Sequence, residues 1–343
     1  MSDQSDVTEG AAIVAVLGAG SWGTALAHHL AQGGAQTRLW ARSEQAAQRL
    51  TQQHENVKYL AGTTLDNVRI ESDLRQAVQG AHWIVAAVPC SAVPLLAHDL
   101  RDVMPSDSIV VSGTKGLHPQ SGLRASSMWQ QEAALAPHRF VALSGPNLAR
   151  EIVSGEPSST VVASQSEQAA SAAQKLFSTS MFRVYTNSDL IGVELGGALK
   201  NVVAIAAGIG DGLGFGDNAK AALMTRAWRE MTRLAVALGA RESTLFGLSG
   251  MGDLIATCVS RHSRNRALGE HLARGESLQV AQSEIAQVAE GVHTTRAALR
   301  LADECNVELP VTRQIAAVLF EGRAPRAAVI DLMQRDGCGE VSE

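Results

Sequence analysis

The most constraining feature of the sequence is the glycine-rich run Gly18–Gly23, which directly follows the apolar, β-branched run Ile13–Leu17. A bare G-x-G-x-x-G pattern is common by chance, but here a predicted strand precedes it and an Ala/Leu-rich helical segment follows it. In such a context Gly18 permits a tight turn, Gly20 lets the backbone approach a pyrophosphate, and Gly23 lets the helix pack close to the strand. The spacing therefore predicts a dinucleotide-binding turn.

Short apolar runs alternate with longer helical patterns through the first half of the chain, which is typical of βαβ units and a parallel sheet. The predicted strands are Ile13–Leu17, Thr37–Trp40, Trp83–Val88, Ser108–Ser112, Phe140–Ser144, Thr160–Ser164 and Phe182–Tyr185, the last two as edge strands, and the predicted helices between them include Trp22–Gln32 and Glu167–Ser178. We expect the third of these strands to stop at Pro89, where a backbone donor would be lost.

After Asp189 the chain has a helical period almost throughout, with breaks predicted at Gly208–Gly216, Gly247–Gly252 and Pro310. A chain of 343 residues exceeds the usual size of one core. We therefore predict an α/β fold: a Rossmann-type, mostly parallel sheet domain at residues 11–190, followed by an all-α substrate-binding domain at residues 191–343. The polar residues 1–10 are interpreted as a disordered lead-in without the pattern of a secretory signal.

Composition excludes several classes of function. A formal net charge of -5 does not suit nucleic-acid binding, which needs a basic face. The longest apolar stretches, such as Val202–Ile209, are too short to span a bilayer. The four cysteines, Cys90, Cys258, Cys305 and Cys338, have no zinc-ligand or disulfide-framework spacing, so reduced thiols in a cytoplasm and no metal are expected.

The segment after the second predicted strand bears on the choice of cofactor. An acidic residue there would bind an adenosine ribose and favour NAD, but Arg42 and Ser43 occupy that stretch. Arg42 can neutralise a 2′-phosphate, so we predict that NADPH is accepted at least as well as NADH.

Two predicted strands of the first half end in segments that suggest chemistry. Lys115, in Gly113–Leu117, and the turn Ser144–Ala149 each follow an apolar strand at the edge where open α/β sheets bind ligands.

Two further candidates lie in the helical half. Lys200 lies in an apolar helix three and four positions after Gly197 and Gly196, which cost roughly 1 kcal/mol each in a helix. We interpret the two glycines as space through which a ligand approaches the lysine. Further on, Gly250–Leu254 precedes Ser263–Arg266, a predicted helix start in which Arg264 offers a planar fork for phosphate.

Taken together, these segments resemble the bacterial NAD(P)-dependent glycerol-3-phosphate dehydrogenase family over nearly the whole chain. The similarity rests on Gly18–Gly23, Lys115–Leu117, Ser144–Pro146, Gly192–Gly216, Gly252–Leu254, Ser263–Asn265 and Val288–Gly291. The resemblance implies hydride transfer between NADPH or NADH and carbon 2 of sn-glycerol 3-phosphate or dihydroxyacetone phosphate, mainly as reduction for glycerophospholipid synthesis.

The resemblance also implies roles for individual residues. Lys200 is expected to be the proton acceptor, and Lys115 to contact both substrate and cofactor. The other implied substrate-binding residues are Gly145, Asn147, Asp253, Ser263, Arg264 and Asn265, and the implied cofactor-binding residues are Gly18, Gly20, Ser21, Trp22, Gly23, Arg42, Ala149, Arg264, Val288 and Glu290. Asn147 and Ala289 depart from the commoner Thr or Ser and Val of the family, and both departures leave the assignment intact.

Two other interpretations stay open at this stage. One is a dehydrogenase of the same architecture that acts on a β-hydroxy acid or a ketopantoate-like substrate, and which has less need of the Ser263–Asn265 run. The other is a non-catalytic NADP(H)-sensing regulator, because a fold does not fix a function, although such a protein has no need of Lys200 beside two glycines. The expected partner is a small molecule, and an Ala- and Leu-rich helical half suits a homodimer.

Overall fold

The computed structural model describes residues 11–285 and 288–334. Its strands are β1 Ile13–Leu17, β2 Gln36–Trp40, β3 Glu55–Asn56, β4 Ala61–Thr64, β5 Val68–Glu71, β6 Trp83–Ala86, β7 Ile109–Ser112, β8 Phe140–Ser144, β9 Ser158–Ala163 and β10 Phe182–Asn187. Eight of them form one sheet in the order β10-β9-β8-β7-β6-β1-β2-β5, in which only the β8–β9 pair is antiparallel, and β3 and β4 form a separate antiparallel pair.

Helices cover both faces of the sheet and form most of the chain after it. Their bounds are α1 Ser21–Gln32, α2 Glu44–Gln53, α3 Val57–Leu60, α4 Leu74–Val78, α5 Val93–Leu100, α6 Ala125–Ala133, α7 Ala149–Val153, α8 Glu167–Phe177, α9 Leu190–Gly212, α10 Asp217–Ala237, α11 Glu242–Leu245, α12 Asp253–Val259, α13 Arg264–Ala273, α14 Leu278–Glu284, α15 Glu290–Cys305, α16 Pro310–Phe320 and α17 Pro325–Met333. Short 3-10 turns occupy Cys90–Ala92 and Pro137–Arg139, and a π-helical turn occupies Leu248–Gly252.

The predicted fold class is confirmed: a mostly parallel sheet precedes a helical region. The last described strand ends at Asn187 and α9 begins at Leu190, close to the predicted boundary. Three predictions concern residues outside the described ranges. They are the disordered lead-in at residues 1–10, the reduced thiol of Cys338, and the helical structure of the last residues of the chain.

Several strand predictions need correction. The strand predicted to reach Val88 ends at Ala86, because its register partners on both sides, Leu17 and Ser112, are the last residues of their own strands. The strand β9 is not an edge strand, since it lies between β8 and β10. Sequence reasoning also missed β5, which forms the other edge, and the short hairpin of β3 and β4.

The break predicted at Gly208–Gly216 is confirmed only in its second half, because α9 continues to Gly212 and α10 begins at Asp217. The most apolar 18-residue stretch of this helix has a mean hydropathy of 1.6, so the helix is long and apolar enough to cross a membrane by those measures alone. However, 94% of its most apolar stretch is buried inside the protein, as expected for the central helix of a core. Leu199, Val202 and Val203 on α9 are fully buried in the main helical cluster.

Glycines allow α13 to lie directly against α9. A Cβ atom added to Gly208 would lie 1.9 Å from the carbonyl oxygen of Arg266, and one added to Gly269 would lie 2.1 Å from that of Ile205. The two backbones therefore touch where side chains would otherwise separate them. This contact explains why Gly208 lies inside a helix that it would normally weaken.

We predict opposite effects for two substitutions in α9. Gly208→Ala forces the Cβ into the Arg266 backbone, and overpacking of this kind should lower the free energy of unfolding by about 1–3 kcal/mol. Gly210→Ala is the matched control, since a Cβ there meets no atom within 4 Å. It should leave stability unchanged or raise it by about 1 kcal/mol through helix propensity. Urea denaturation of both variants measures the difference, and equal stabilities would contradict the packing account.

Candidate active site

The glycine-rich turn lies at the carboxyl end of β1, where the strand order reverses between β2 and β6. Gly18 has a φ of 113°, in the left-handed region that favours glycine, and a Cβ on Gly23 would lie 1.8 Å from the Gly18 carbonyl oxygen. A Cβ on Gly20, by contrast, would meet nothing within 4 Å. The turn is tightly packed on the protein side and open beside Gly20, so it fits the pyrophosphate of a dinucleotide at the N-terminus of α1.

Trp22 extends this site toward the neighbouring strand ends. A Cβ added to Gly113, which directly follows β7, would lie 2.6 Å from the Trp22 indole nitrogen. That nitrogen is buried, and among the described residues it has no hydrogen-bond partner. A buried polar atom without a partner is uncommon in folded proteins, and a ligand in the adjoining site is one explanation for it.

The centre of the candidate site is a buried carboxylate shared by two lysines. The Lys200 Nζ atom on α9 donates to Asp253 Oδ1 at 2.7 Å, and the Lys115 Nζ atom donates to Asp253 Oδ2 at 2.8 Å. The Lys115 amine also donates to the Gly145 carbonyl oxygen at 2.8 Å. Lys115 and Gly145 follow β7 and β8, so the sheet edge and the helical region meet at Asp253.

Burial and neighbouring charges set the protonation of this group. Burial lowers the pKa of Lys200 to about 8, with the Asp253 carboxylate opposing that shift and the Lys115 ammonium adding to it. Burial alone would raise the pKa of Asp253, but the two ammonium groups outweigh it and hold that pKa below its usual range. The site thus contains an amine with a pKa of about 8, which can gain or lose its proton close to neutral pH. The carboxylate beside it stays ionised.

Sequence reasoning missed two residues that complete this centre. The Thr257 hydroxyl accepts a hydrogen bond from Lys200 Nζ at 2.6 Å and donates to Asp253 Oδ1 at 3.2 Å. Asn201 donates to the Lys115 carbonyl oxygen at 3.0 Å. Thr257 lies four residues after Asp253 on α12, a spacing that places both on one helix face and was the available signal.

The interpretation of Gly196 and Gly197 as space for a ligand is wrong, because the protein itself fills both positions. A Cβ on Gly196 would lie 2.9 Å from the carbonyl oxygen of Ser249, and one on Gly197 would lie 2.5 Å from the Ser144 hydroxyl. The glycines instead bring α9 close to the π-helical turn and to the end of β8. Their cost in helix propensity is offset by this close approach, which places Lys200 beside Asp253 and Lys115.

The predicted phosphate-binding run forms the start of α13. The Ser263 hydroxyl accepts from the Arg266 backbone as the N-cap, and the Asn265 carboxamide bonds to Asn201 at 2.8 Å and to the Gly291 backbone at 2.9 Å. The exposed Arg264 side chain donates to the Val288 carbonyl oxygen at 3.3 Å. The side chains of Ser263 and Asn265 thus already have protein partners, whereas the first two backbone N–H groups of the helix, those of Arg264 and Asn265, have no intrahelical acceptor.

Glu290 connects the helical region to the loop after β6. Its Oε1 atom accepts from the Cys90 backbone at 3.0 Å, and a Cβ on Gly116 would lie 2.8 Å from its other oxygen. Burial raises the pKa of Glu290, opposed by the Cys90 hydrogen bond and by Arg264. Cys90 itself is fully buried, and burial followed by the charge of Glu290 raises the pKa of its thiol.

The remaining predicted site residues lie along the same edge of the sheet. Arg42 is exposed in the connection from β2 to α2, and Ser43 caps α2. The Asn147 carboxamide bonds to Ser159 and Thr160 on β9, and Ala149 begins α7. Among residues 11–285 and 288–334, no three His, Cys, Asp or Glu side chains are grouped in a way that would hold a metal ion.

An open turn at the switch point of a mostly parallel sheet, together with a buried lysine of lowered pKa, is typical of a nicotinamide-dependent dehydrogenase. Comparison with known sequences identifies the family. The sequence model for the N-terminus of NAD-dependent glycerol-3-phosphate dehydrogenase matches residues 13–170, and the model for its C-terminus matches residues 189–330. The chain belongs to the NAD-dependent glycerol-3-phosphate dehydrogenase family, as the sequence motifs predicted.

Similar proteins cover nearly the whole chain. The glycerol-3-phosphate dehydrogenase (NAD(P)+) of Chlorobium phaeobacteroides (strain BS1) is 48% identical over 325 residues, which are 94% of this chain and 97% of that protein. The protein of the same name from Pelotomaculum thermopropionicum is 46% identical over 332 residues, 96% of this chain and 95% of its own. The crystal structure of glycerol-3-phosphate dehydrogenase from Coxiella burnetii superposes with a TM-score of 0.91 at 36% identity, covering 95% of this chain and 99% of that one.

Proposed function

We propose that this protein interconverts sn-glycerol 3-phosphate and dihydroxyacetone phosphate with NADPH or NADH. The observation that carries this proposal is the pair of lysines from different parts of the fold, Lys115 and Lys200, held on the buried Asp253 carboxylate. Relatives at 46% and 48% identity bear the name of this activity. The open turn at Gly20 and the arginine at the start of α13 supply places for a pyrophosphate and for a substrate phosphate.

A bound nicotinamide supplies or accepts the hydride at carbon 2 of the substrate. The protein handles the proton at the adjacent oxygen. In reduction, the Lys200 ammonium donates its proton to that oxygen, and in oxidation the neutral amine removes it. With a pKa of about 8, Lys200 is mostly protonated at neutral pH, which favours reduction, yet a useful fraction of the neutral base is present.

Asp253 and Lys115 position and tune the Lys200 amine. The carboxylate accepts from both amines and keeps them within reach of one substrate oxygen, while Thr257 holds Lys200 from a second direction. The positive charge of Lys115 stabilises negative charge that develops on that oxygen. The same charge lowers the pKa of Lys200, so one residue serves both purposes.

The substrate phosphate is proposed to bind at the N-terminus of α13. Arg264 can form a bidentate, charge-assisted contact with a phosphate, and the helix dipole adds attraction for the anion. Two hydrogen bonds connect the first turn of this helix to Lys115: Asn265 donates to Asn201, and Asn201 donates to the Lys115 carbonyl oxygen. A phosphate held at α13 is thus kept at a fixed position relative to the lysine centre.

Two parts of the chain would bind the cofactor and the substrate separately. Residues 11–190 would bind the dinucleotide through Gly18–Gly23, Arg42 and Ala149, and residues 191–343 would bind the substrate, with Glu290 and Val288 closing over the cofactor. A homodimer, a cytoplasmic location and a role in phospholipid synthesis remain predictions.

A substrate comparison tests the proposed function. Purified protein is mixed with NADPH and either dihydroxyacetone phosphate or ketopantoate, and the loss of reduced nicotinamide absorbance is followed. We expect turnover with the phosphate ester only. Turnover with the keto acid alone would assign a carboxylate-specific dehydrogenase, and NADPH binding without any turnover would favour a sensor.

The lowered pKa of Lys200 predicts opposite pH dependences for the two directions. Oxidation of glycerol 3-phosphate needs the neutral amine, so its kcat should rise as the pH passes through about 8. Reduction needs the ammonium group, so its kcat should fall over the same range. Lys200→Arg stays charged throughout and should lose nearly all oxidation, whereas Lys175→Arg on the exposed face of α8 is the control. If the pH profiles of kcat had midpoints near the ordinary pKa of lysine in both directions, Lys200 would not be the group that transfers the proton.

Arg42 gives a prediction about cofactor choice. Arg42→Ala removes the charge expected beside a 2′-phosphate, so the KM for NADPH should rise about tenfold while that for NADH stays nearly constant. Arg49→Ala, at an exposed position on α2, is the matched control. If Arg42→Ala raised the KM for both cofactors equally, or left the KM for NADPH unchanged, the 2′-phosphate would have to bind elsewhere.

A further inference from the structure

The hairpin formed by residues 55–64, which comprises β3, α3 and β4, lies against the dinucleotide turn, although no sequence motif marked it. Asn56, which is 4% exposed, reaches from this hairpin to the turn. Its Nδ2 atom donates to the Ala19 carbonyl oxygen at 3.0 Å and to the Thr24 hydroxyl at 2.7 Å. The two N–H groups of the carboxamide thus donate to one acceptor in the turn and one acceptor in α1.

The contact with Ala19 fixes the direction of the next backbone donor. In a planar trans peptide the carbonyl oxygen and the following N–H point in opposite directions. When Asn56 holds the Ala19 oxygen on the hairpin side, the Gly20 N–H must point to the other side. Among the described residues, no acceptor binds the Gly20 nitrogen. Space beside Gly20 is open, because an added Cβ would meet nothing within 4 Å.

We propose that Asn56 is a positioning residue for cofactor binding, which orients the Ala19–Gly20 peptide so that its N–H faces the dinucleotide phosphates. This inference rests on the proposed function, because it takes the Gly18–Gly23 turn as the cofactor site. Asn56 does not touch the reacting atoms. It acts by keeping the turn in the conformation that binds, so the ordering is complete before the cofactor arrives.

The hairpin is itself held in place at several points. The Ser21 hydroxyl donates to the Tyr59 carbonyl oxygen at 2.7 Å, and the His28 ring bonds to the Thr64 carbonyl oxygen at 2.8 Å. Within the hairpin, the Gly62 backbone donates to the Glu55 carboxylate at 2.7 Å. Asn56 therefore belongs to a hairpin that is hydrogen-bonded to α1, and these contacts fix the direction of its carboxamide.

Two substitutions at position 56 separate hydrogen bonding from packing. Asn56→Ala removes the carboxamide, and Asn56→Leu removes both N–H groups but keeps a similar volume. We expect both to raise the Kd for NADPH about tenfold, as loss of a net hydrogen bond to the turn would do. The kcat at saturating NADPH and the KM for dihydroxyacetone phosphate should each stay within about twofold of the wild type, since Asn56 is remote from the substrate. Glu55→Ala, which loses a contact only within the hairpin, should bind NADPH as the wild type does.

The binding titration follows NADPH fluorescence on the full chain and needs no turnover. It therefore stays informative even if the wild type failed to reduce dihydroxyacetone phosphate, a result that would overturn the proposed function and not this inference. Wild-type affinity in Asn56→Leu would mean that position 56 only fills space, and equal losses in Glu55→Ala would mean that general hairpin stability matters. Either result would overturn the positioning role. Thermal unfolding of each variant establishes that it is folded before titration.

Discussion

Two ammonium groups and one carboxylate meet in the interior of this protein, and the proposed chemistry depends on holding them together there. An isolated charge in such surroundings would be strongly unfavourable. The Asp253 carboxylate and the two lysine ammonium groups therefore stabilise one another in the folded protein. Because Lys115 comes from the sheet edge and Lys200 from α9, this ionic contact joins the sheet region to the helical region. It also sets the chemistry, since burial lowers the pKa of Lys200 to about 8 while the Asp253 carboxylate keeps it from falling further.

The close packing of backbones around α9 makes that arrangement possible. Gly197 lets the helix approach Ser144, and Gly208 lets it touch α13, whose first turn carries Arg264. Lys200, proposed to move the proton, and Arg264, proposed to hold the phosphate, thus lie on two helices whose backbones touch at Gly208. Such contacts transmit position well because they have little freedom to rearrange.

The sequence was most informative where function depends on local backbone geometry. The turn at Gly18–Gly23 was predictable because its strand, glycine spacing and helix are contiguous, and Lys115 because it follows an apolar strand. Asn56 could not be predicted, since its acceptors on Ala19 and Thr24 are 37 and 32 residues away and the pairing exists only in the folded chain. The same limit explains the wrong interpretation of Gly196 and Gly197, whose neighbours come from other elements. The strand β5 was missed because four residues of alternating polarity are too short to outweigh the flanking loops.

The crystal structure of the complex with NADP+ and sn-glycerol 3-phosphate is the most direct test of the central claim. We expect the Lys200 Nζ atom to lie about 3 Å from the oxygen on carbon 2, within hydrogen-bond reach, with the substrate phosphate at the start of α13. A complex in which Lys200 stays on Asp253 and Thr257, and another residue contacts that oxygen, would contradict it.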